Sequence, residues 1–303
     1  MFPKMASEEL LRKLNTPKEG KIKVLLDTDA YNEVDDQFAI AYALKSIERI
    51  ELQAIYAAPF HNDRSAGPAD GMEKSYQEIL RLLAKMDVPA AGFVFRGAAE
   101  FLKNLDKPVM SDAVNDLIEK ALQASPEEPL HVVSIAAITN VASAILLRPE
   151  IIPNIVVVWL GGHAHAWKDT VEFNLLQDVK AAQVIFNCGV PLIQIPCMGV
   201  ASHLLTSIPE LKADLYGKSA IGDMLVDIVM GYRADHFAWA KEIWDIATIG
   251  YLVNPDWVPS HIVSSPVLTD QMTWSVNHER HFMRVAYSIS RNDIFRDLFT
   301  KLS

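Results

Sequence analysis

Residues 24 to 36 read VLLDTDAYNEVDD, and Asp27, Asp29, Glu33, Asp35 and Asp36 fall within ten consecutive positions directly after an apolar run. Carboxylates this dense do one of three things: they hold a hard cation, they stabilise a positive charge that develops in a substrate, or they move protons. Helix capping and the helix dipole account for one or two of them and leave the others unexplained. An EF-hand is excluded by spacing. Its loop needs Gly at the sixth position and Glu at the twelfth, and counting from Asp27 those are Asn32 and Phe38.

The elements that must position these groups follow from pattern. KIKVLLD (21 to 27) reads as a strand buried on both faces, DDQFAIAYALKS as a helix, and IELQAIYA (50 to 57) as the next strand, which makes a βαβ unit. The alternation continues with a helix at 71 to 86, a strand at 131 to 136, a helix from Thr139, and strands at 155 to 162 and 190 to 196. This order predicts an α/β fold: a mostly parallel central sheet flanked by helices, with ligands at the carboxyl ends of its strands. Residues 207 to 253 read as helical, followed by a late pair of strands and the terminal helix RNDIFRDLFTKL. We find no linker rich in Pro, Gly or Ser and expect one domain over 1 to 303, with 1 to 20 a polar leader.

Composition narrows the function classes. The chain of 303 residues carries a formal charge of −10, which excludes a broad phosphate-binding surface and with it nucleic acid as a partner. Two cysteines, Cys188 and Cys197, make neither a disulfide framework nor a zinc site, so a reducing, cytoplasmic setting is expected. No run of eighteen apolar residues is present, and no membrane partner is expected.

Two patterns compete for the acidic strand end. Asp27 and Asp29, with GDMLVD at 222 to 227, could belong to a magnesium-dependent phosphatase of the haloacid-dehalogenase type; but GDMLVD lies in a helical pattern, and Tyr31 stands where that family has Thr or Val. The second pattern is longer. The Asp-x-Asp strand end with Asp35-Asp36 opening a helix, TN at 139 to 140, WLGG at 159 to 162, EFN at 172 to 174 and the Asp of IWDIAT together resemble the calcium-dependent, inosine-uridine-preferring nucleoside hydrolases.

The resemblance implies hydrolysis of a ribonucleoside to free base and ribose. It assigns Ca2+ to Asp29, Asp36, the main-chain carbonyl of Ile135 and Asp245, with Asp29 as general base toward a calcium-bound water. It places Asp35, Asn62, Glu172 and Asn174 on the ribose hydroxyls. It also implies a homo-oligomer, dimer or tetramer.

The chain departs from the family at two points. Between Asp29 and Asp35 stands AYNEV, two residues longer than the usual three, which brings Asn32 and Glu33 into reach of the site. Where many relatives carry a His to protonate the departing base, this chain has Trp244. His163, His165 and His236, the last read as lying on one helix with Trp244, are the candidate replacements, and Trp244 itself is a candidate base contact. Loss of that His also leaves open a calcium-dependent nucleoside- or sugar-binding protein without turnover.

Overall fold

The computed structural model describes residues 2–105 and 107–303. In chain order the elements are α1 (Ser7–Lys13), β1 (Ile22–Thr28), α2 (Asp35–Lys45), β2 (Ile50–Ala57), α3 (Pro68–Lys85), β3 (Val94–Arg96), α4 (Asp112–Gln123), β4 (Leu130–Ser134), α5 (Thr139–Leu147) and β5 (Ile155–Leu160). There follow α6 (Phe173–Gln177), α7 (Val179–Asn187), β6 (Leu192–Ile195), β7 (Leu205–Thr206), α8 (Ile208–Asp214), α9 (Ala220–Tyr232), β8 (Lys241–Glu242) and α10 (Ile246–Val253). The chain closes with β9 (Ser260–Ser264), β10 (Val267–Leu268), β11 (Trp274–Ser275), β12 (Phe282–Ala286) and α11 (Arg291–Leu302).

Eight strands form the central sheet in the order β3-β2-β1-β4-β5-β6-β12-β9. Every neighbouring pair runs parallel except β12 with β9. The expected mostly parallel sheet with flanking helices is therefore present. Along β1 the side chains alternate between two cores: Val24 and Leu26 join the cluster containing Phe38, Ile246 and Leu298, while Leu25 joins the one containing Val114, Ile145 and Phe186. Helices cover both faces, as apolar strands without polar alternation require.

The order reverses between β1 and β4, because β2 and β3 extend to one side and β5 and β6 to the other. A crevice opens at the carboxyl ends of strands at such a switch point. Asp29 follows β1 by one residue and Ile135 follows β4 by one. The helix carrying Asp35 and Asp36 is buried on all sides from Asp35 to Ala43, and α10 and α11 both pack on it. A helix so enclosed reads as nearly uniform in hydropathy rather than amphipathic.

Two stretches differ from the sequence reading. Residues 233 to 245 are not helical. Arg233 is extended after α9, Ala238 is left-handed at φ 50°, and Lys241–Glu242 pairs antiparallel with Leu205–Thr206. His236 and Trp244 therefore share no helix. At the amino end, residues 7 to 13 form a helix that buries Leu10 against the core, and Leu14 follows it inward.

Candidate active site

A cavity of about 310 Å³ lies over the carboxyl ends of β1 and β4. The residues singled out from the sequence reach its walls from seven places in the chain. Asp29 arrives at the end of β1, Asn32 and Glu33 from the loop that follows, and Asp35 and Asp36 from the first turn of α2. Asn62 enters from the loop after β2 and Ile135 from the end of β4. Glu172 and Asn174 open α6, while Trp244 and Asp245 precede α10.

Asp27 is the brace beneath this floor. It is fully buried, accepting from Ser134 Oγ at 2.9 Å and from Asn140 Nδ2 at 2.8 Å. Burial lifts its carboxyl to about 7 against the opposing effect of those donors. Asn140 also accepts from the Ala98 N–H at 2.8 Å, so one amide ties three strand ends together. With both oxygens engaged and no exposure, Asp27 is no phosphatase nucleophile. Asp223 and Asp227 lie on α9 and line a different depression, with Arg81 and Lys85.

The four carboxylates above it are crowded. Asp29 is 1% exposed and its Oδ2 has no hydrogen-bond partner. Asp36 accepts from Thr28 Oγ1, and Asp35 Oδ2 accepts from the Trp244 N–H at 3.1 Å. One carboxylate oxygen from each of Asp35, Asp36 and Asp245 lies within 4.8 Å of the other two. Burial first, and mutual repulsion second, push Asp29, Asp36 and Asp245 well above the ordinary carboxylate range. A divalent cation reverses that penalty. An all-oxygen set with an orphaned buried carboxylate oxygen fits a hard cation, and this acidic cluster could hold one. Asp35 belongs to this group of three, whereas Asp29 does not.

Glu172 caps α6 with both oxygens: Oε1 accepts from the Asn174 N–H at 2.9 Å, and Oε2 from the Gly162 N–H at 2.8 Å and the Leu175 N–H at 3.1 Å. Asn174 Nδ2 donates to the Leu160 carbonyl at 3.0 Å. Asn62 Nδ2 donates to Asn32 Oδ1 at 2.6 Å, so the loop after β1 and the loop after β2 are joined by side chains.

The histidines fall elsewhere. His163 Nδ1 accepts from the Met198 N–H at 3.3 Å, His165 pairs with Gln194 Oε1 at 2.9 Å and lies on Trp274, and His236 Nε2 bonds the Met230 carbonyl at 3.1 Å. None of the three lines the cavity. Trp244 does, with a buried Nε1 that lacks a partner.

Sequence reasoning missed Lys241, Glu242, Phe173, Leu160 and Cys197, which complete the lining. Lys241 is 5% exposed, and its ammonium sits 2.5 Å from Glu33 Oε2. Burial works against that charge, but Asp35 and Glu33 outweigh it and raise the ammonium above the ordinary lysine value.

A sequence model of the inosine-uridine preferring nucleoside hydrolase family matches residues 24–296. The chain belongs to that family. It is a hydrolase acting on N-glycosyl bonds. This nucleoside hydrolase is 28% identical over 263 residues to the pyrimidine-specific ribonucleoside hydrolase RihA of Salmonella typhimurium, covering 78% of the chain and 80% of that relative. The RihA of Klebsiella pneumoniae is 26% identical over the same shares. Among solved structures, a plant nucleoside hydrolase, the PpNRh1 enzyme, superposes with a TM-score of 0.74 at 19% identity, covering 94% of this chain and 99% of that one. A purine-preferring ribonucleoside hydrolase from Gardnerella vaginalis gives 0.73 at 22%, covering 92% and 98%. No helix among the described residues is long and apolar enough to cross a membrane.

Proposed function

We propose that this nucleoside hydrolase splits a ribonucleoside into free base and ribose with Asp29 as general base and Ca2+ as its cation. The observation that carries the reading is Asp29 Oδ2: a buried carboxylate oxygen without a partner, in a cavity it shares with Asp36, Asp245 and Ile135. Asp29, Asp36, Asp245 and the Ile135 carbonyl would hold calcium, an ion that takes six to eight oxygen ligands. Bound there, it supplies Lewis acidity and an anchor for sugar hydroxyls.

The protein's own groups do the rest. Asp29 takes a proton from the attacking water. Asp35, with one oxygen held by the Trp244 N–H, presents the other to the 2′-hydroxyl, while Glu172, Asn174 and Asn62 hold the remaining hydroxyls. As the C1′–N bond stretches, the ribosyl ring becomes positive, and the ring of carboxylates stabilises that charge more than it does neutral substrate. Direct attack by water inverts the anomeric carbon.

Two buried free thiols, Cys188 and Cys197, suit a reducing cytoplasm. Residues 1 to 303 act as one domain, since a single sheet draws strands from Ile22 to Ala286, and the protein assembles as a homo-oligomer. The test is a panel of purine and pyrimidine ribonucleosides with calcium, read by base release and by reducing sugar. Release of base together with α-ribose as the first anomer is expected; binding without release would refute turnover.

A further inference from the structure

Among the described residues lining the cavity, Lys241 is the only cation and no histidine is present. Its ammonium is fixed from three directions. Glu33 Oε2 lies at 2.5 Å, Glu242 Oε2 at 3.3 Å, and the Tyr232 ring centroid at 4.9 Å. Glu33 is itself fixed, because Tyr232 Oη donates to its Oε1 at 3.0 Å. The pair joins the loop after β1 to β8.

An ammonium has three N–H bonds and no acceptor. One is donated to Glu242 Oε2 at 3.3 Å, and the Glu33 contact is an ion pair without hydrogen-bond geometry, so an N–H remains for the cavity that Lys241 lines. The acidic floor formed by Asp29, Asp36 and Asp245 suits the ribose, whose charge becomes positive. The departing base becomes negative, and it needs the opposite sign of partner. Among the described residues of the wall, Lys241 is the only one that offers a positive charge.

We propose that Lys241 is a catalytic residue that donates a hydrogen bond to the departing nucleobase, and that Glu33 is the positioning residue that aims it. This rests on the ribonucleoside reading above. The C1′–N bond breaks with its electron pair leaving on the base, where it spreads onto a ring carbonyl oxygen or nitrogen; the Lys241 N–H meets that atom. Water adds hydroxyl to C1′, and its proton, taken up by Asp29, is the one that finally neutralises the base. Lys241 stays protonated throughout. The substrates favoured are those whose base can accept a hydrogen bond at the atom carrying the leaving charge.

The test compares natural ribonucleosides with 4-nitrophenyl riboside, whose nitrophenolate leaves without help. Lys241→Met should lose about 10- to 100-fold in kcat/KM on the nucleosides, the range for a hydrogen bond to a charged group, and less than about 3-fold on the nitrophenyl riboside. Lys241→Arg should recover part of the nucleoside activity. Glu33→Gln should show the same selective loss at smaller size, with kcat affected more than KM. Equal losses on both substrates, in the Met and Gln variants alike, would mean that the pair only holds the loop and would overturn the proposal, as would no loss on either. Wild-type protein that hydrolyses neither riboside would overturn the ribonucleoside reading itself.

Discussion

Asp35 Oδ2 accepts the main-chain N–H of Trp244 at 3.1 Å, and this bond fastens the first turn of α2 to the residue that precedes Asp245. The acidic turn and Asp245 are thus set relative to one another by a carboxylate that also lines the cavity.

Asp35→Asn keeps an oxygen that can accept this bond, and Asp35→Ala does not. With calcium present, the Ala variant should be less stable than the Asn variant by about 1–2 kcal/mol, the cost of leaving a buried N–H unpaired. Both should lose at least about tenfold in kcat/KM. Urea melts of the pair settle it, and equal stability would show that the bond is not a structural tie.

Cation binding should be visible without any substrate. If calcium relieves the repulsion among Asp29, Asp36 and Asp245, then adding it to chelator-treated protein at 100 times its Kd stabilises the fold by about 2.7 kcal/mol, a rise in Tm of several degrees. Asp36→Asn should abolish most of that rise. An unchanged Tm in the wild type, measured by calorimetry, would count against a cation at this cluster.

The opposite end of the sheet gives a prediction about pH. His131 is buried at the start of β4 with neither ring nitrogen bonded, and burial lowers it to about 4 from an ordinary value of 6.5. Between those values the unfolded chain binds the proton and the folded chain does not, so stability falls as pH drops through that window. The contribution is on the order of 3 kcal/mol. His131→Met should flatten part of the difference between urea melts at pH 7 and pH 4.5. An identical slope in the variant would show that His131 is not a source of the acid sensitivity.

What could be read from the sequence had local causes. The strand before Asp29, the helix opening at Asp35 and the strand ending at Ala57 are each a short run with one period, bounded by charge. Asp29, Asp35 and Asp36 stood out because carboxylates at a strand end and a helix start are costly without a purpose, whereas Glu172 and Asp245 were singled out only through the resemblance to the family. Residues 233 to 245 were not legible as an irregular segment: their apolar spacing matches a helix, but a left-handed Ala238 and pairing of Lys241–Glu242 with Leu205–Thr206 decide otherwise, and that pairing is tertiary. Lys241 stayed hidden for the same reason. Nothing in AWAKEIWD says that its one cation meets Glu33, more than two hundred residues away. The histidines misled because ring chemistry alone does not reveal direction; His165 and His236 spend their ring nitrogens on Gln194 and on the Met230 carbonyl.

The central claim is that Asp29 takes the proton from water, and Asp29→Asn tests it with the least change of shape. Purified variant and wild type, each with calcium, are assayed on the same ribonucleoside panel by reducing-sugar release, with Tm measured alongside. The account predicts a fall in kcat of about 10²- to 10⁴-fold, the usual worth of a positioned base, in a protein that still melts cooperatively. A folded Asp29→Asn protein that keeps wild-type kcat would contradict it.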